Sequence, residues 1–246
     1  MNTLKNTLNQ PFLRQPALLD NKLLAALSPE ELDYWSANLE LVEMTLNQVL
    51  CEPGKTPTFM FFPTTAIVSL IYITTDGSSS EVAVIGNDGV VGISLFMTDS
   101  HTLNHAKVQS TGLGYKLKAK AAKNILNRGG PLLKILLNYS LKMIYQVNQT
   151  AASNRLYSID QRLSRRLLLN LDRVPSNNFK MTHEMLGNLL GVRRESITES
   201  ALRLQEAGII TYTRGVITII DRVKLESNCS ECYFLPITEY ESFSFH

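Results

Sequence analysis

Cysteine is scarce in this sequence: Cys51, Cys229 and Cys232 are the only three in 246 residues. Three thiols make a poor disulfide framework for a chain of this size, and the scarcity agrees with a reducing compartment. Long apolar runs are missing too. No window approaches the roughly 18 to 20 uninterrupted apolar residues that a membrane span needs. The opening "MNTLKNTLNQPFLRQPALL" has asparagine and glutamine where a secretory signal would have its apolar region. The expectation is a cytoplasmic protein with no membrane partner. Net charge is small, +2 at pH 7, and by itself names no partner. What is present is apolar content, 44%, sufficient for real cores, and length for two domains of roughly 100 to 200 residues each.

The small net charge hides an uneven distribution. Residues 1 to 154 hold 12 Lys+Arg against 11 Asp+Glu, residues 155 to 225 hold 12 against 7, and the last 21 hold none against 4. The positive excess therefore sits in one third of the chain, followed by an acidic tail.

"LSPEEL" reads as a helix start, with Ser28 as N-cap, Pro29 at the first helical position and Glu31 closing a capping box. From about Phe59 the pattern changes to short β-branched runs: "AIVSLIYITT", the turn signal Asp76-Gly77, "SSEVAVIG", the turn signal Asn87 to Gly89, then "VVGISLF", "HAKVQS" and "GYKL". These predict a small antiparallel β-sandwich or barrel over roughly residues 45 to 118. After Gly129-Gly130-Pro131 no breaker appears for over twenty residues. Leu133, Leu137, Ser140, Ile144, Val147, Ala151 and Asn154 recur there at alternating steps of four and three, a seam at coiled-coil spacing. The dimer contacts are expected from Leu133, Leu137, Ile144, Val147 and Ala151. A wider apolar flank of Leu132, Leu136 and Met143 leaves open a helix packed on its own domain. A further amphipathic helix follows, marked by Ile159, Leu163, Leu167 and Leu171, and "PSNN" closes it.

In "MTHEMLGNLLGVRRESITESALRLQEAGIITYTRGVITIID", Thr182 is a natural N-cap, and Leu186 and Leu190 share a face with Met185 and Leu189. Gly187 lets a second helix approach, and Gly191 suits a turn needing positive φ. A new helix after Val192 has Ile197, Ala201 and Leu204 as its buried side and ends at Gly208. This is the grammar of a helix-turn-helix. Arg193, Arg194, Glu195, Ser196 and Glu199 then point outward from the helix start, the part that enters the major groove. Arginine can donate to guanine O6 and N7, and glutamate can accept from cytosine N4, so Arg194 and Glu195 are candidate base readers, with Glu199 at an outer position. Thr182, Arg193 and Ser196 are candidates for phosphates. A solvated helix face laced with Arg-Glu pairs is the competing reading. Two β-branched runs around Arg214-Gly215 form a hairpin with a basic tip, a wing that brings Arg214 near a phosphate. An ordinary edge hairpin would equally complete the small domain's core.

The order of β-sandwich, long helix and winged helix-turn-helix, with "MTHEMLGNLLGVRRESITESALRLQEAGII" and "IGNDGVVGISLF", resembles the CRP/FNR family of bacterial transcription regulators. The likeness covers nearly the whole chain and is strongest from Asn154 to Leu225. It implies an α+β fold in three parts. Residues 1–130 would form an effector-type β-sandwich of jelly-roll, cyclic-nucleotide-binding-like form with its leading helix. Residues 131–157 would be a dimerisation helix, and 158–246 a winged helix-turn-helix with the acidic tail. It further implies a homodimer on a roughly palindromic duplex site, with RNA polymerase as a further partner. In the family the Arg-Glu pair opening the recognition helix reads bases, and that pair matches Arg194-Glu195.

Departures from the family pattern matter as much. Cyclic-nucleotide-binding members carry Gly-Glu for the ribose and, about ten residues on, Arg-Ser or Arg-Thr for the phosphate. Here Gly92 is followed by Ile93, and no arginine occurs between Ile93 and Lys107. A buried phosphate would lack a charge partner, so the sandwich is expected to serve an unknown effector or partner protein rather than cyclic AMP. Iron-sulfur members need four cysteine ligands against three here. Glu199 stands where many members place a basic reader. Cys229 and Cys232 form a C-x-x-C without a second pair, and His101 and His105 lack a third ligand, so no metal or cofactor is expected. Asp76 and Asp88 are explained first by turn chemistry. Competing functions are a metal-dependent enzyme built on the β domain and a signalling module that binds only protein; the expectation is a non-enzyme.

Overall fold

The computed structural model describes residues 17–97, 101–126, 131–229 and 231–234. The opening segment, the Gly129-Gly130 break and most of the acidic tail lie outside them. A single 3-10 turn, Leu18–Asp20, leads into α1 (Lys22–Ala25) and α2 (Pro29–Ser36). The α2 start is the expected one: the Ser28 hydroxyl accepts from the Glu31 N–H at 3.3 Å, and Glu31 Oε2 accepts from the Ser28 N–H at 3.1 Å. Seven strands follow, β1 (Leu39–Met44), β2 (Val49–Cys51), β3 (Phe59–Pro63), β4 (Ile67–Ile73), β5 (Ser79–Ile85), β6 (His105–Ser110) and β7 (Gly112–Lys118), with α3 (Ser94–Met97) between β5 and β6 and α4 (Ala119–Leu126) after β7.

The strands form two antiparallel sheets, ordered β1-β7-β3 and β2-β6-β4-β5. Because side chains alternate along a strand, each sheet serves two neighbours. Met44, Phe61, Val68, Ile85 and Val108 fill the space between the sheets. Met60, Phe62 and Leu117 face the other way and join Trp35, Ile125, Leu136 and Tyr139 in a second core under the helices. Two expectations need correction. The sandwich begins at Leu39 rather than about residue 45, because "LELVEM" pairs along β7 from Leu39↔Leu117 to Met44↔Gly112 despite its two glutamates. "VVGISLF" is not a strand: Val91 makes one isolated bridge to Phe61, Gly92 takes φ +90, and the chain turns into α3.

The long helix α5 (Pro131–Leu156) has both characters that its pattern allowed. Ile135, Leu136 and Tyr139 are buried against the sandwich, while Leu133, Leu137, Ile144 and Val147 stay exposed, with Ala151 exposed one turn on. Of the wider flank, Leu136 and Met143 therefore serve the chain's own core, while the Leu132 side chain lies outside the described residues; the seam is left uncovered on the opposite side. No helix among the described residues is long and apolar enough to cross a membrane.

The last part comprises α6 (Ile159–Leu171), β8 (Asn178–Lys180), α7 (His183–Leu190), α8 (Arg194–Glu206), β9 (Ile210–Thr213), β10 (Val216–Ile219), α9 (Arg222–Cys229) and α10 (Glu231–Phe234). Its core gathers Leu163, Leu167, Leu186, Ile197, Leu204, Ile217 and Leu225. β8, not anticipated, pairs with β10 to make a three-stranded sheet ordered β8-β10-β9.

α6 is buried on two sides. One stripe enters the winged core, and Arg165, Arg166 and Asn170 are buried on the other, with Arg173 buried just past the helix end. Arg166 lies at the centre: its Nε is 2.7 Å from Glu81 Oε1 on β5, and its Nη2 donates to Glu81 Oε2 at 3.0 Å. It also donates to Gln109 of β6 and to Asn170, and Ser69 of β4 donates to Glu81. With its charge paired to Glu81 and both Nη atoms donating, though Nε makes no hydrogen bond, this ion pair avoids the several kcal/mol penalty of an uncompensated buried ion. Beside it, Arg173 Nη2 is 2.9 Å from Asp88 Oδ2 and Lys142 Nζ 3.3 Å from the same oxygen. Burial pushes the Asp88 carboxyl up, but the Arg173 and Lys142 charges outweigh it and hold the group well below the usual carboxylate range. Asp88 does accept from the Gly86 N–H at 3.3 Å in its turn, yet turn chemistry is the smaller part of its role. Gly86 itself is needed for this approach, because a β-carbon there would stand 2.6 Å from Arg173 Cβ.

Candidate nucleic-acid interface

The turn between α7 and α8 is built as its glycines suggested. Thr182 Oγ1 accepts from the Met185 N–H at 3.1 Å as N-cap of α7. Gly191 closes that helix in the left-handed region, φ +63. A β-carbon on Gly187 would lie 2.9 Å from the Val192 carbonyl oxygen, so the absent side chain lets the turn fold back onto α7. Val192 N–H accordingly donates to Gly187 O at 2.9 Å.

The second helix starts one residue later than expected: Arg193 is its N-cap, with no side-chain capping bond, and α8 begins at Arg194. Ile197, Ala201 and Leu204 are buried, as the periodicity required. Rotation about the helix then exposes Arg193, Arg194, Glu195 and Glu199, with Ser196 half-buried. Arg203, one turn beyond Glu199, is committed elsewhere by two hydrogen bonds of 2.7 Å to Asp160 of α6.

The sheet brings a second basic group to this side of the domain. β9 and β10 pair from Ile210↔Ile219 to Thr213↔Val216, leaving Arg214-Gly215 as a two-residue loop. Both loop residues have positive φ, +50 and +80, the condition for a type I′ turn, which Asn-Gly satisfies far more easily. An arginine held left-handed carries a local cost of roughly 1–2 kcal/mol. Next to the loop, Gly215 O accepts from the Met181 N–H at 2.9 Å, and the Thr182 methyl sits 3.7 Å from where a Gly215 β-carbon would be. Thr182 and the wing tip are therefore neighbours.

His183 was overlooked in the sequence. Its Nδ1 pairs with Thr198 Oγ1 at 2.9 Å, and that hydroxyl donates to Arg194 O at 3.1 Å. Its ring stacks on Tyr212 of β9 with centroids 4.1 Å apart. One imidazole thus ties α7, α8 and the wing together. Desolvation and the nearby Arg194 charge lower its pKa, favouring the neutral ring. A polar residue at the first position of a helix carries no sequence signal for such a role.

Other candidate residues separate from this surface. His101 is exposed, with Nδ1 3.4 Å from Thr56 Oγ1, and His105 lies at the start of β6. The Cys229 thiol is buried in the winged core, whereas the Cys232 side chain lies outside the described residues. Among the described residues no group of three His, Cys, Asp or Glu side chains is placed to hold a metal. Asp76 is a turn residue, accepting from the Ser78 N–H at 3.1 Å and from Thr74.

Residues 161–227 match the family model of the Crp-like helix-turn-helix domain. In sequence, then, residues 161–227 are a Crp-like helix-turn-helix domain, and in fold most of the chain is similar to solved regulators of the CRP/FNR family. A regulator assigned to the crp/fnr family from Eubacterium rectale is 19% identical and superposes with a TM-score of 0.66 over 86% of this chain and 99% of its own. FixK2 of Bradyrhizobium japonicum is 14% identical, with a TM-score of 0.64 over 76% of this chain and 95% of its own. The c-di-GMP-responsive global regulator CLP of Xanthomonas campestris is 14% identical, with a TM-score of 0.62 over 79% of this chain and 100% of its own. Among curated proteins no sequence matches the chain.

Proposed function

We propose that this protein is a DNA-binding transcription regulator of the CRP/FNR type that acts as a homodimer on a roughly palindromic duplex site, one recognition helix per half-site. The observation that carries the reading is the start of α8: Arg193, Arg194, Glu195 and Glu199 are exposed in one patch, on the domain that also bears the wing. Arg194 and Glu195 read base edges, and Glu199 reads an outer position where a carboxylate selects cytosine. Thr182, Arg193, Ser196 and Arg214 hold phosphates and set the register. Leu133, Leu137, Ile144, Val147 and Ala151 of α5 form the seam with the second copy; their exposure in a single chain supports this, since so long an apolar stripe asks for cover. The sandwich is a divergent effector domain that does not take cyclic AMP, because its 94–106 segment offers no arginine for the phosphate. RNA polymerase and an effector or partner protein complete the set of partners.

The test is selection of randomised duplex DNA by the full-length protein, followed by affinity for the winner at several salt concentrations. An enriched inverted repeat with half-sites roughly one helical turn apart, and a steep salt slope, is the expected result. No enrichment by either the full chain or the winged domain would reduce the α8 patch to a solvated surface.

A further inference from the structure

A cavity of about 400 Å³ lies where the sandwich, α5 and the winged domain meet, at the small end of the range for ligand pockets. Five basic side chains line it: Lys22 from α1, Lys142 from α5, Arg165 from α6, Arg173 just past the end of α6, and Arg222 from α9. Two carboxylates line it among the described residues, Asp88 and Asp172. Asp88 meets Arg173 and Lys142, and Asp172 meets Arg222 at 2.8 Å, which is also held by Glu226 from outside the lining. Among the described residues, five cations thus stand with three carboxylates, Asp88, Asp172 and Glu226. The Nε of Arg173 is buried without a hydrogen-bond partner, although its other nitrogens bond Asp88 and Leu169 O. Met143 and Leu169 add an apolar wall.

We propose that this junction binds a small organic polyanion. Guanidinium and ammonium groups would recognise its phosphate or carboxylate oxygens, and the apolar wall its carbon body. The ligand would touch all three parts of the chain at once. Binding would therefore favour this arrangement of sandwich and winged domain over any other by mass action. The proposal stands whether or not the winged domain reads DNA, and its test contains none.

Calorimetric titration of the full-length protein with pyrophosphate, citrate and AMP, at matched ionic strength, separates inorganic phosphate, polycarboxylate and phosphate-ester chemistry. At least one is expected to bind with a Kd of roughly 1 mM or tighter. Lys142→Gln and Lys22→Gln should each weaken that binding about tenfold, equivalent to roughly 1.4 kcal/mol. Lys22 is exposed, so its variant keeps the fold even if the Lys142 variant does not, as circular dichroism would show. Weakening in either folded variant sustains the proposal. No binding by any of the three probes, or undiminished binding in both variants, overturns it.

Discussion

Arg165-Arg166 and Arg193-Arg194 are the same dipeptide on two helices of one small domain, in opposite surroundings. The first pair is buried against the sandwich, where Arg166 meets Glu81, Gln109 and Asn170. The second pair is exposed at the start of α8. The difference teaches that a guanidinium's role is set by what the fold brings to it. Glu81 lies 85 residues from Arg166, so nothing local marks that arginine as structural. Arg193 and Arg194 stand beside glutamates of their own helix start and stay exposed. One pair joins parts of the chain, and the other is available to a partner.

The comparison can be broken by exchanging what each pair is asked to do. Arg166→Ala leaves Glu81 buried without its cation and should cost about 3–5 kcal/mol, read as a lower denaturation midpoint. A loss below about 1 kcal/mol, the range of surface pairs, would put Arg166 in the same class as Arg194. Arg194→Ala should leave stability unchanged to within about 0.5 kcal/mol. It should cost about 1–3 kcal/mol of affinity for the selected duplex and relax specificity at one base pair. Binding like the parent's would remove Arg194 as a reader.

Smaller effects sharpen the picture of how the exposed pair is positioned. His183→Gln removes the stack on Tyr212 and should cost about 0.5–1.5 kcal/mol. The same residue gives a pH signature. Its folded pKa lies below the unfolded 6.5, so the unfolded chain takes up the proton first. Stability should be complete above that pH and decline as pH falls through it; denaturation midpoints on either side of pH 6.5 should show a smaller decline in the variant. Asp88 works at lower pH. Its folded pKa is depressed below 3.8, so its contribution is complete above that value and lost only as pH falls beneath it. Arg214→Gly should have the smallest effect on stability, within about 0.5 kcal/mol. Relief of the left-handed strain of roughly 1–2 kcal/mol is offset by the greater freedom of glycine in the unfolded chain. The salt slope of duplex binding should nevertheless fall by about 1.

The parts legible in the sequence share a physical basis: they are local. The Ser28 capping box, the Thr182 cap, the left-handed Gly191 and the Arg214-Gly215 loop are each set by residues within a few positions of one another. Helical periodicity sorted α8 into a buried Ile197, Ala201, Leu204 stripe and an exposed polar start, and it exposed the α5 seam. What escaped was non-local. β8 exists because β10 offers it an edge, and β1 because β7 does. Asp88 looked like a turn residue because its cations arrive from far along the chain, Lys142 lying 54 residues away and Arg173 farther still. His183 escaped because its partners, Thr198 and Tyr212, come from two later elements.

Gly86 carries a consequence for the geometry of the whole chain. The spacing between the end of β5 and α6 is gauged by one missing methyl group, since a β-carbon at Gly86 would overlap the Arg173 stem. Any side chain at that position acts as a wedge. It would lever Arg173 away from Asp88 and pry the winged domain from the sandwich, without altering a single charged group.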